Sequence, residues 1–356
     1  MTRSLAITAI VLLGPFATGC SESHTITLRI GAGHPAGPAV YATQMRDFFV
    51  PEVTRRIAAE TDYEVNFIEG YGGSIAKVAE TLEAVESGIL DIGAYCVCFE
   101  PSKLFLHNFS YFVPFGPRDS EQAIQVARRI YDTHPWLHEQ LSKKYKQELL
   151  ALNGWDNYHL GTVMPWDSID ELQGVKIAGA GPNLPWLEFA GAVPVQSTLP
   201  DGYLSMQTGV YSGWLMFPSA YYSFKFHEPA PNYTLVNFGS VGGAVVLTVN
   251  NDAMTALPGD VQKIIREVGR DYERVASVAL NEGQALGLKN LEEAGTAIRT
   301  LSDSVRRNWA ESLAEFPNQM AKDADARDMP GSEIIRDYIE AVSQSGHEWP
   351  VRYEIE

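Results

Sequence analysis

Between Thr25 and Tyr95 the chain alternates segments of period two with segments of helical period, and this alternation restricts the fold more than any other feature. Thr25-Ile-Thr-Leu-Arg-Ile reads as a strand, broken by Gly31-Ala-Gly-His-Pro. A helical pattern follows over 37–60, with Pro51 starting a new helix or kinking the old one. Tyr63-Glu-Val-Asn-Phe-Ile is a second strand. Gly72-Gly73-Ser74 then opens an expected helix whose apolar residues Ile75, Val78, Leu82 and Val85 form one buried stripe, and Gly88 stops it. Ile89 to Tyr95 is a third strand. Strands joined through helices by links this short run parallel, with each helix crossing a face of the sheet.

The pattern continues with expected helices over 119–133 and 135–146 and strands near 147–153 and 158–163. A second alternating unit has strands at 174–178, 193–196 and 209–216, with helices at 185–190 and 199–207. Thr234 to Phe238 and Gly243 to Val249 read as strands that return the chain to the first unit. From Asp260 to Ala294 a single apolar stripe predicts one long helix or two nearly collinear ones. Two amphipathic helices, 302–326 and 331–345, close the chain. The expected partition is 25–153 plus 238–300 in one lobe, 154–237 in the other, and 301–356 as helices packing on both. Ligands in such folds bind at the carboxyl ends of strands. The candidate loops are therefore 31–37, 70–75, 94–100, 153–159, 178–186 and 212–222.

The N-terminus predicts the compartment. Arg3, an apolar run from Leu5 to Phe16, and Ala17-Thr18-Gly19 before Cys20 read as a signal peptide over 1–19. The apolar run is too short for a bilayer span of roughly 20 residues. Cleavage before Cys20 and acylation there would leave a periplasmic lipoprotein, with residues 20–24 as its tether and the lipid as its only membrane contact. A net charge of -17 argues against nucleic acid and anionic lipid as partners.

Motifs for catalysis are sparse. Gly31-Ala-Gly33-His-Pro-Ala-Gly37 has the wrong glycine spacing for a dinucleotide loop, and Pro35 sits inside the turn. No Walker loop, Gly-x-Ser-x-Gly elbow or His-Glu-x-x-His is present. His134 and His138, four apart, are expected on a solvated surface. Cys96 and Cys98 are expected as buried free thiols, because residues two apart on a strand sit at the outer limit for bridging. No cofactor or metal is expected.

Aromatic residues are the positive signal. Trp155, Tyr158, Trp186, Trp214, Phe217, Tyr221 and Tyr222 concentrate in loops of the second unit, where they would grip apolar or planar ligands. Trp214 and Met216, two apart on a strand, share a face. The first-unit loops contribute His34 and Tyr95 as further candidates.

Leu172-Gln-Gly-Val-Lys-Ile, Gly191-Ala-Val-Pro-Val and Tyr203-Leu-Ser-Met-Gln-Thr-Gly-Val-Tyr-Ser-Gly together resemble the solute-binding subunit of TRAP transporters, the tripartite ATP-independent periplasmic (DctP-like) family. Gly72-Gly73-Ser74, Ser87-Gly-Ile-Leu-Asp-Ile-Gly and Leu257-Pro-Gly-Asp-Val-Gln fit as well, so the likeness runs from about Thr25 to the end. The resemblance implies a two-lobed α/β periplasmic-binding-protein-like fold with central mixed sheets, crossing interdomain strands and a long spanning helix. It also implies closure on a ligand and handover to a small and a large integral membrane subunit.

The departures bear on the ligand. The family's ligand-gripping arginine after Lys-Ile is Ala178 here, a second family arginine falls at about Tyr158, and a usual polar run falls on Trp214, Leu215 and Met216. A buried carboxylate without its clamp costs several kcal/mol. A substitute donor set is expected from Asn183, Tyr158, the indoles, and helix N-termini at Ser74 and near Pro182. The expected protein is a receptor for an aromatic or apolar monocarboxylate, not an enzyme. The alternatives are a receptor for a small dicarboxylate or keto acid, and a secreted hydrolase using Asp156 and His159.

Overall fold

The computed structural model describes residues 24–356, so the expected signal peptide and Cys20 lie outside the described residues. Strand β1 (His24–Ala32) pairs in parallel with β2 (Tyr63–Tyr71) and β3 (Ile92–Cys96). Between β1 and β2 run α1 (Val40–Gln44) and α2 (Val50–Glu60), joined by one π-helical turn at Met45–Phe49. Pro51 accounts for the wide turn: it lacks an N–H, and its ring would collide with a carbonyl one turn back in a regular helix.

Helix α3 covers only Thr81–Glu86, which corrects the expected start at Gly72. Gly72 and Gly73 sit at φ +67° and +81°, a left-handed conformation that a right-handed helix does not continue through. The following residues instead run as turns against the end of β1. There Gly33 meets the Val78 backbone so closely that a Cβ on it would stand 2.4 Å away.

Helices α4 (Ser120–Thr133) and α5 (Pro135–Tyr145) lead into β4 (Gln147–Trp155). Asp119 starts α4 by accepting from the Gln122 N–H at 2.8 Å. The chain then crosses through 156–158 to β5 (His159–Thr162) in a second sheet. Strand β6 (Lys176–Gly179), α6 (Leu184–Glu188), β7 (Val193–Gln196), α7 (Leu199–Gln207) and β8 (Gly213–Met216) repeat the parallel crossover pattern. Helix α8 (Pro218–Ser223) and β9 (Asn232–Leu235) follow. The chain recrosses into β10 (Val241–Asn250), which inserts antiparallel between β3 and β4. The first sheet has the order β2-β1-β3-β10-β4, and both sheets are mixed.

After α9 (Asn251–Ala256), α10 (Gly259–Glu293) runs 35 residues as a single helix. It packs on α4 and β4 in the first lobe and on α8 in the second. Gly287 allows the closest approach: a Cβ there would lie 2.6 Å from the Pro218 backbone. Strand β11 (Ala297–Thr300) pairs with β9, completing the second sheet as β11-β9-β5-β8-β6-β7. This corrects the expected placement of residues up to 300 in the first lobe; α10 carries the chain across before β11 forms. The expected helix over 302–326 is two, α11 (Asp303–Ser312) and α12 (Phe316–Asp325). Pro317, lacking an N–H, is tolerated in the first turn of α12 but not inside a continuous helix. Helix α13 (Gly331–Gln344) packs on α4 and α12.

Two further expectations are corrected. Cys96 and Cys98 form a disulfide. Strand β3 ends at Cys96 and the chain tightens into a short turn at Val97–Phe99, which brings the two Cα atoms to 5.1 Å, inside bridging range. His134 is buried rather than solvated, because α13 covers it and sets Asp337 3.0 Å from its ring.

Candidate ligand-binding site between the lobes

The carboxyl ends of the strands in both sheets converge on one small cavity of ≈ 20 Å³. His34 follows β1, Cys98 and Phe99 follow β3, and Trp155 ends β4. The second lobe supplies Ala180 after β6, Ser197 and Leu199 after β7, and Trp214, Met216 and Phe217 from β8 and its end. Tyr158, in the first crossing, completes the lining.

Aromatic contacts hold the two lobes against each other here. Trp155 stacks on Phe217 with ring centroids 5.0 Å apart, and Tyr158 meets the same Phe217 edge-on at 5.2 Å. Trp214 is anchored inside its own lobe, stacked on Phe226 at 4.9 Å with Tyr211 edge-on at 5.6 Å. Ala178 is fully buried and pairs in register with Trp214, so a methyl group occupies the position at which the resembled family carries an arginine.

No Asp, Glu, Lys or Arg side chain lines this cavity. Its polar groups are few and two are unsatisfied. The Nδ1 of His34 lies 3.0 Å from the Tyr41 hydroxyl, while its Nε2 is buried without a partner. The indole N–H of Trp214 is likewise buried without an acceptor. The Tyr158 and Tyr111 hydroxyls pair at 3.1 Å, and the Trp155 N–H donates to Cys96 Sγ at 3.4 Å. Burial lowers the His34 pKa to about 4 and raises that of Tyr158 well above the usual phenol value, so both are neutral at pH 7. Buried polar atoms without partners are uncommon, and these two stand at one apolar cavity.

Of the residues singled out in the sequence, His34, Trp155, Tyr158, Trp214, Met216 and Phe217 come together at the cavity. The other six do not line it. The Trp186 N–H donates to the Tyr111 carbonyl at 3.0 Å and its ring stacks on Phe238, so it ties the lobes together beside the site. Asn183 Oδ1 accepts from the Ala180 N–H at 3.0 Å and shapes the loop after β6. Tyr95 donates to Gln147 inside the first lobe, and Ser74 is exposed on a turn that opens no helix. Tyr221 donates to the Ala230 carbonyl, and Tyr222 stacks on His227 away from the cavity. Ser197 and Leu199 were missed; their position just after a short strand was the available signal.

The crossings form a paired hinge. The Tyr158 N–H donates to Gly239 and the Phe238 N–H to Tyr158, both at 3.1 Å. Asn157 bonds Asn237 and Gly239 with its side chain, while its own N–H donates to Gln284 on α10. Asp156 and His159 flank this hinge without bonding each other. Asp156 accepts from the Ser219 hydroxyl at 2.9 Å, and His159 Nδ1 accepts from the Asn237 N–H at 3.2 Å. Among the described residues no group of three or more His, Cys, Asp or Glu is placed to hold a metal.

A second, larger groove of ≈ 390 Å³ lies on the far side of the contact between Cys98 and Gly181. It carries Arg327, whose guanidinium stacks over Phe105 at 4.1 Å, outside the inner cavity.

Two α/β lobes joined by paired crossings, with a buried apolar cavity at their strand ends, have the architecture of a solute-binding protein. The chain belongs to the bacterial extracellular solute-binding protein family 7 (DctP), whose model matches residues 56–323. The C4-dicarboxylate-binding periplasmic protein DctP of Rhodobacter capsulatus is 24% identical over 300 residues, covering 77% of this chain and 89% of that protein. A TRAP solute binding protein from Rhodoferax ferrireducens, solved with copurified benzoate, superposes with a TM-score of 0.80 at 16% identity, covering 90% of this chain and 98% of that one. A Bordetella pertussis extracytoplasmic solute receptor binding pyroglutamic acid gives a TM-score of 0.75 at 18% identity, covering 88% and 100%. These relatives are solute receptors, not enzymes, and TRAP receptors bind small organic ligands and work with membrane subunits. Among the described residues no helix is long and apolar enough to cross a membrane.

Proposed function

We propose that this protein is the TRAP receptor for an aromatic or apolar monocarboxylate, which it carries to its membrane subunits. The supporting observation is the replacement of a charged clamp by an aromatic cage: Ala178 sits beside Trp214 on the neighbouring strand, and Trp155 stacks on Phe217 at the cavity. Such a cage favours a planar or branched apolar body and penalises a second carboxylate, which would be buried without a counter-charge. A cavity of ≈ 20 Å³ holds about one water molecule, whereas a benzene-sized guest needs on the order of 150 Å³. A guest of that size would enter with the lobes apart and the rings moved aside, before the lobes close on it. Upstream, the Ala17-Thr18-Gly19-Cys20 sequence supports acylation at Cys20 and a periplasmic, membrane-tethered location.

Native mass spectrometry of freshly purified protein, followed by identification of the released molecule, tests the ligand class. A monocarboxylic acid with an aromatic or branched body is expected. A dicarboxylate or a sugar acid in its place would overturn the reading.

A further inference from the structure

With the monocarboxylate reading as its basis, we propose that His34 is the counter-ion of the bound ligand, taking up one proton as the carboxylate enters. The geometry carries the proposal. His34 lines the cavity and is 1% exposed. Its Nδ1 is engaged by Tyr41 at 3.0 Å, which orients the ring and leaves Nε2 as the unpartnered nitrogen. Phe99 and Trp155 pack against the ring with centroids 5.8 and 6.0 Å away, fixing its plane. No other side chain of the lining can become positively charged, while the Trp214 N–H stands ready as a neutral donor.

Two groups around the imidazole are titratable, the phenols of Tyr41 on α1 and Tyr158 in the hinge, and burial keeps both neutral. Lys77 and Glu80 belong to a separate outer groove beyond Gly33 and Phe99. The Asp156 carboxyl, which burial raises to about 7, is turned to Ser219 and does not line the cavity. Burial alone lowers the free imidazole to about 4, so at neutral pH the empty site is uncharged. An entering carboxylate supplies the opposite charge that favours the protonated ring. The balance is one carboxylate plus one solvent proton, giving an imidazolium–carboxylate pair with Nδ1–H donating to Tyr41 and Nε2–H donating to the ligand. No net charge is then buried, which is the condition an apolar cavity imposes.

Proton uptake is measured by calorimetric titration with benzoate, 3-hydroxybenzoate and pyroglutamate at pH 6.5, in two buffers of different ionisation enthalpy. Uptake approaching one proton per ligand bound is expected, with Kd rising as pH rises, by up to about tenfold per unit between pH 5.5 and 7.5. His34→Gln should bind at least tenfold more weakly and lose the uptake. Uptake that persists in His34→Gln would mean the acid enters already protonated, and would overturn the proposal. So would tight binding by the natural chain without uptake. Histidine 15N shifts of the natural chain with and without benzoate decide the same point independently of the variant's folding: a His34 ring that stays neutral in the complex overturns the proposal. If none of the three acids binds at any pH, the ligand-class reading itself falls, an outcome distinct from binding without a proton.

Discussion

Gly181 of the second lobe rests against the backbone carbonyl of Cys98 in the first, so closely that a Cβ on residue 181 would stand 2.2 Å from that oxygen. The lobes therefore meet backbone to backbone at the edge of the cavity, and only glycine permits it. Its φ of +59° adds a second requirement, since other residues lose about 1–2 kcal/mol in that left-handed conformation. Gly181→Val should hold the lobes apart. Small-angle scattering at saturating ligand should show the natural chain contracting and the variant keeping its larger radius of gyration, with affinity reduced at least tenfold. A variant that contracts normally would mean that this contact does not limit closure.

Trp214 has two roles that substitution can separate. Trp214→Ala would remove the ring stacked on Phe226 and should destabilise the second lobe by roughly 3–5 kcal/mol, obscuring any effect on binding. Trp214→Phe keeps an aromatic ring on Phe226 and removes the unpartnered N–H together with the rest of the indole's smaller ring, a milder loss of packing than alanine. Loss of one hydrogen bond to a charged acceptor, ~1.5–3 kcal/mol, predicts about 10- to 100-fold weaker binding of the ligand recovered from the native protein. Arg327→Ala, in the outer groove, should leave affinity unchanged. If that variant instead abolishes binding, the carboxylate is held in the outer groove and the inner cavity is not the site.

Asp156 should make stability depend on pH. It is fully buried, and desolvation holds its carboxyl at about 7, outweighing the hydrogen bonds from Ser219 that favour ionisation. The folded state therefore keeps a proton that the unfolded chain releases near 3.8. Its contribution is full below that value and is lost as pH rises towards and through about 7. Asp156→Asn retains an acceptor for Ser219 and removes the charge. Its melting temperature relative to the natural chain should be little changed at pH 4 and higher at pH 8, with the difference growing between. A constant offset across that range would contradict the assignment.

The Cys96–Cys98 bridge predicts that no thiol other than Cys20 is available. Protein unfolded without reductant should leave these two positions unlabelled by iodoacetamide, and reductant should expose both. Labelling of either without reductant would restore the free-thiol expectation.

Acylation at Cys20 predicts membrane association of the natural chain and release of Cys20→Ala into the soluble periplasmic fraction. Unchanged association of the variant would remove the anchor.

Much of the fold was legible because the code for it is local. Alternating residues of β1, the apolar stripe of α10 and the glycine stop after α3 each depend on neighbours a few positions away. The same locality placed Trp214 and Met216 on one face of β8. The resemblance to the family, not periodicity, marked Ala178 as the place where a ligand-gripping arginine would be expected, and the strand that carries the motif fixes its position. Other outcomes depended on partners distant in the chain. The turn after Gly72 follows from packing against β1, and β11 joins the second sheet because α10 delivers it there. Trp186 and Tyr158 look alike in sequence, yet one ties the lobes and the other faces the cavity, because α6 and the hinge set their side chains in different surroundings. The pairing of His34 with Tyr41, the bare Nε2 and the closure of Gly181 on Cys98 exist only once the strand ends converge. Periodicity reports which face of an element is buried. What that face is buried against is decided by the tertiary packing of segments far apart in the chain.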